Sequence, residues 1–142
     1  MRRRTPESAL RAGRLATLPK SATNVRAQGW SSIFSGENYL MFQATSEDIS
    51  KWIAKSSSIR DCIPETFDFN HMHLPYRADR EYDTDHEYYF PMPSNPQWYD
   101  LTIKVNGRKY EIPGDPDKGG HNWGTVIIND ENNTVYINVI WS

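Results

Sequence analysis

The chain has 142 residues, of which 37% are hydrophobic and 24% charged, and a formal net charge of −2. That is one domain's worth of sequence with enough apolar material for a core, which excludes an intrinsically disordered chain. The lone cysteine, Cys62, excludes an internal disulfide and a cysteine-based zinc site.

The charge is unevenly spread. Residues 1–20 hold Arg2, Arg3, Arg4, Arg11, Arg14 and Lys20 against Glu7, a balance of +5, and the remainder stands at −7. An acidic body is a poor match for a phosphate backbone, so nucleic acid is not expected as the main ligand. No run approaches the ~20 apolar residues of a membrane span, and no apolar core of a signal peptide follows the basic start. The chain as written is therefore expected in the cytoplasm, with the cell envelope as the alternative if residues precede Met1.

Residues 1–18 are basic and weakly periodic. Pro6 suits the first turn of a short helix, but Leu10 and Leu15 are few anchors, so the segment is expected to be a flexible tail. The ordered domain is expected over 19–142. A strand is predicted over 23–34, interrupted by Gly29, Trp30, Ser31 and Ser32, resumed by Ile33 and Phe34, and closed by a turn at 35–38. The next strand, 39–44, places Leu40, Phe42 and Ala44 on one face and Tyr39, Met41 and Gln43 on the other. The short connection makes the two strands antiparallel neighbours.

Thr45 or Ser46 then caps a helix predicted over 46–56, with Glu47 and Asp48 at its positive end. Ile49, Trp52 and Ile53 fall at the spacing of one buried face. Residues 59–97 carry prolines at 64, 75, 91, 93 and 96 and hold no period. They are expected as a long irregular loop, and such loops are usually functional or mobile. Asn106-Gly107 predicts a two-residue hairpin between 101–105 and 108–112, with Ile103 facing Tyr110 and Leu101 facing Ile112. A turn-rich link, 113–120, leads to a terminal hairpin around the polar residues 130–133. Its second arm places Val135, Ile137, Val139 and Trp141 on one face and Tyr136, Asn138 and Ile140 on the other. The expected fold is α+β: an antiparallel sheet of about five or six strands, one amphipathic helix on one face, and the long loop.

The long loop carries the candidate sites. His71 and His73 form a His-x-His pair, which on a strand puts both imidazoles on one side; Asp85 or His86 would complete a site for zinc or another divalent metal. The bland reading is solvated loop histidines. Asp79, Glu81, Asp83, Asp85 and Glu87 alternate, as a solvated acidic face or a loosely held calcium site would. Cys62 has no evident activating partner and reads as a structural thiol. Tyr88, Tyr89, Phe90, Trp98 and Tyr99 form either a recognition patch or a seal over the sheet. The function expected first is a non-enzymatic interaction module without a cofactor. Its partner would be another protein, gripped by the acidic, aromatic loop in the manner of a small acidic inhibitor or immunity-type protein. The alternative is a metal-binding protein or metal-dependent hydrolase using His71, His73 and His86.

Three stretches also carry a resemblance. Residues 18–25, residues 39–53, and residues 96–99 taken with 127–136 together resemble an uncharacterised group of small bacterial proteins, often anchored in the cell envelope. The likeness implies an α+β fold and no particular reaction. Tyr99 stands where the group's pattern has a second Trp.

Overall fold

The computed structural model describes residues 2–67, 96–99 and 106–142. They form β1 (Arg2–Arg3), α1 (Pro6–Ala12), β2 (Thr23–Ser31), β3 (Gly36–Gln43), α2 (Ser46–Lys55), β4 (Glu65–Phe67), β5 (Gly107–Ile112), β6 (Trp123–Asn129) and β7 (Thr134–Trp141). The seven strands make one sheet in the order β1-β2-β3-β7-β6-β5-β4, and every neighbouring pair is antiparallel. The fold is therefore α+β, with more strands and one more helix than expected.

Two meanders, β1-β2-β3 and β4-β5-β6-β7, meet at the β3–β7 pair. The alternation read in β7 explains why it lies at the centre. Val135, Ile137 and Val139 join one core, Tyr136 joins the other, and the strand is buried from Thr134 to Val139. A strand apolar on both faces is stable only with cover on both.

The larger core lies under the helices. Thr45 Oγ1 accepts a hydrogen bond from Asp48 N at 3.1 Å, the expected N-cap of α2. Trp52 anchors the helix: its ring meets Phe42 edge-on at 5.5 Å, and its Nε1 donates to Ala16 O. The smaller core, on the opposite face, consists of Tyr39, Tyr99, Ile127 and Tyr136.

Glu65–Phe67, expected within the irregular loop of 59–97, form β4 against β5, and the sequence expectations need three further corrections. Residues 2–12 are not a free tail: Ala9 and Leu10 are buried in the larger core. α1 ends in a Schellman motif, with Leu15 N bonded to Leu10 O and Arg14 N to Arg11 O, and with Arg14 left-handed at φ 55°. The Arg14 side chain then reaches Pro113 O and Asn122 O, and its Nε lies 3.8 Å from Asp115. Two apolar anchors suffice because the segment is also tied at both ends, by β1 and by Arg14. Gly13 adds close approach; a Cβ there would lie 3.1 Å from Val139 Cγ2.

The second correction concerns the β2–β3 connection. β2 runs through Gly29 and Trp30 to Ser31, and Gly36–Asn38, expected in a turn, lie in β3. Gly36 is there for space: a Cβ would sit 2.6 Å from the Trp141 indole. Glu37 is held in the strand by Trp30 Nε1, Tyr39 OH and Asn138 Nδ2, which all donate to its carboxylate.

The third correction is the hairpin at Asn106-Gly107. At Gly107, Arg108 and Lys109 one edge of β5 pairs with β6 and the other with β4. A strand has two edges, so the slot the predicted hairpin needed there is taken by β4. Residues 101–105 lie outside the described residues.

Candidate functional site

The edge of the sheet next to β1 gathers cations. β1 pairs only Arg2 with Gly29 and Arg3 with Gln28, and Arg4 N adds a bond to Ala27 O at 3.1 Å. Pro6 then starts α1, because it has no N–H to give a ladder and its φ suits a first helical turn. Among the described residues no strand covers the outer edge of β2 from Thr23 to Arg26.

Two clefts lie along this edge. One, of about 590 Å³, is lined by Arg3, Arg4, Arg26, Asn24, Gln28 and Trp98, with three further residues. The other, of about 260 Å³, is lined by Arg2, Arg4, Gly29, Trp30 and Ser31. No Asp or Glu is among the described lining residues of either. Arg4 stands between them: its Nη2 donates to Ser31 Oγ at 3.1 Å, and its buried Nε has no hydrogen-bond partner among the described residues. A guanidinium carries five N–H donors, so the Arg4 Nη groups keep donor capacity for an anion beyond the bond to Ser31.

Beyond the second cleft the β2–β3 hairpin ends in a tip. Ser32 N bonds to Ser35 O at 2.7 Å, and Ser32 Oγ accepts from the amides of Phe34 and Ser35. This closed serine turn leaves Ile33 86% and Phe34 80% exposed. Trp30 and Trp141, both half-buried, belong to the strand residues just below.

The sequence-predicted residues fall as follows. His71, His73, Asp85, His86, Tyr88, Tyr89 and Phe90 lie outside the described residues. His121, exposed, bridges Asp115 through its backbone, and among the described residues no group of three His, Cys, Asp or Glu is placed to hold a metal. Trp98 is half-buried, lines the larger cleft and donates from Nε1 to Gln28 Oε1 at 3.1 Å. Tyr99 is only 4% exposed and packs edge-on against Tyr39 at 5.0 Å and Tyr136 at 5.7 Å. Trp98 is thus part of a cleft wall and Tyr99 part of the smaller core. Cys62 is half-buried, its Sγ 3.6 Å from Ser58 O.

The arginine edge and the apolar tip were both missed. The signal for the first was Arg2-Arg3-Arg4 beside the candidate helix start at Pro6. The signal for the second was two bulky apolar residues between serines.

Comparison with known proteins adds no assignment: no protein-family model, no curated protein and no solved structure matches the chain.

Proposed function

We propose that the chain is a non-enzymatic interaction module that engages a polyanionic partner through the arginine-lined edge of its sheet. The observation that carries this reading is the lining of the two clefts: Arg2, Arg3, Arg4 and Arg26, with no carboxylate among the described residues. Guanidinium groups present forked donors that match carboxylate and phosphate oxygens. Trp98 and Trp30 add amphipathic ring surface beside them. The contact surface of this reading differs from the acidic loop that the sequence suggested, most of which lies outside the described residues.

The net charge of −2 makes the test sharp. Attraction to an anion here must be local, because exposed charges farther than ~10 Å are screened at moderate salt. The probe is immobilised heparin at neutral pH and about 0.1 M ionic strength. The wild type is expected to be retained, and the double variant Arg2→Glu/Arg3→Glu to flow through. Lys51→Glu/Lys55→Glu, on α2, makes the same change in net charge and should stay retained. No retention of the wild type, or equal loss in both double variants, overturns the reading.

A further inference from the structure

We infer that the polyanionic partner is an anionic phospholipid bilayer, entered by the Ile33–Phe34 tip while Arg2 and Arg4 engage headgroup phosphates at its base. This rests on the polyanion reading above and narrows it to one partner.

The first observation is the tip itself. Two-residue hairpin ends favour Asn, Asp and Gly, because these residues accept the backbone geometry and face water without penalty. Ile33 and Phe34 do neither, yet they sit at 86% and 80% exposure on a turn closed by Ser32 and Ser35. A break in local rules without benefit to the fold marks a site used for something else. Adjacent exposed apolar residues mark contact with a partner or a membrane.

The second observation is the order of chemistry along the hairpin. The apolar tip comes first. Ser31, Trp30 and the cleft of about 260 Å³ with Arg2 and Arg4 come next, and Arg3 and Arg26 line the larger cleft behind. Trp30 pairs with Glu37 and Trp141 with Gly36, so the indoles flank the base of the tip on opposite faces of the sheet. A bilayer presents the complementary order by depth: acyl chains innermost, then the level where Trp is enriched, then phosphate. A nucleic-acid backbone offers the phosphate but no apolar volume for an aliphatic tip. The tip is convex, which suits insertion into a fluid.

Neither element suffices alone. Two apolar side chains give weak partitioning, and stable attachment takes a second signal such as a basic patch. No helix among the described residues is long and apolar enough to cross a membrane, so the contact would be peripheral.

The test is flotation of the full chain with phosphatidylcholine vesicles, with and without phosphatidylglycerol. Wild type should float only with phosphatidylglycerol, and added salt should release it. Ile33→Ser and Phe34→Ser should each lower the partition coefficient about tenfold. Arg2→Glu should lower it at least about fivefold. The tip variants should still be retained on heparin, which separates the two readings. Tip variants that float like wild type overturn the bilayer inference and leave the polyanion reading standing. Loss of heparin retention in the wild type overturns both. Equal flotation with neutral vesicles would overturn the headgroup role of Arg2 and Arg4. The tip residues are exposed, so unchanged melting of the variants serves as the folding control.

Discussion

The β3–β7 pair ends in a turn at either end of the sheet, and the two turns have opposite chemistry. At one end, Asp130 to Asn133 link β6 to β7. Asn129 Oδ1 accepts from the amides of Glu131 and Asn132, Asn132 Oδ1 accepts from Thr134 N, and Asn133 takes a left-handed φ of 57°. Asp130, Asn132 and Asn133 are residues that turn geometry favours. At the other end, Ile33 and Phe34 point their apolar bulk at water between two serines. The fold needs a reversal at both ends, and the polar turn shows how it is made from side chains that solve the backbone's problem. The apolar tip is closed in a similar way by Ser32 Oγ, and the Ile33 and Phe34 side chains take no part in that closure. What differs between the ends is the chemistry exposed to water, not the architecture.

The largest expected loss lies under neither turn and sets the scale for both. Trp52→Ala removes the ring packed on Phe42 and the hydrogen bond to Ala16 O; stability should fall by ~3–5 kcal/mol in denaturant unfolding. Asn129→Ala strips the buried acceptor from two backbone amides of the polar turn and should lower stability by ~1–3 kcal/mol in the same assay. Arg108 clasps Asp130 through both carboxylate oxygens, at 2.8 and 3.0 Å, and Asp130 raises the guanidinium's pKa above its ordinary value. Arg108→Ala should lower stability by up to ~1 kcal/mol, since the pair is partly exposed. Ile33→Ser/Phe34→Ser, at the apolar tip, should change stability by no more than ~0.5 kcal/mol. A large loss there would break the comparison, because it would mean that the fold depends on the tip.

The last expectation concerns pH, away from both turns. Ser21 Oγ donates to Asp48 Oδ2 at 2.6 Å and holds that carboxyl below its ordinary pKa of 3.8. A depressed folded-state pKa gives stability that is present above the unfolded value and lost as pH falls through the lower folded one. The melting-temperature difference between wild type and Asp48→Asn should therefore shrink on acidification below pH ~4.

Much of the sheet was legible because its strands carry strict alternation. Leu40 and Phe42 opposite Tyr39, and Val135 and Ile137 opposite Tyr136, declare both faces of β3 and β7. The helix at Trp52 was legible through its cap and its spacing. The N-terminal segment was not, because its order comes from long-range ties: Arg3 to β2, and Arg14 to Pro113 and Asn122, about a hundred residues away in sequence. Asn106-Gly107 misled because a strong local turn signal says nothing about β4 taking the neighbouring edge. Gly36 and Glu37 read as turn residues, but one makes room for Trp141 and the other is fixed by three donors. The arginine edge followed the same pattern. Its charges were visible, but a tail reading hid that β1 fixes them beside Trp30 and next to a cleft that Trp98 also lines.

The most direct measurement places one spin label at each end of the sheet. In a Cys62→Ser background, Ile33→Cys and Glu131→Cys are labelled separately and mixed with phosphatidylglycerol-containing vesicles. Accessibility to oxygen and to a water-soluble paramagnetic agent is then compared. The label at 33 should move into the apolar layer, gaining oxygen and losing the aqueous agent, while the label at 131 stays in water. Two labels that remain equally aqueous on vesicle-bound protein would contradict the account.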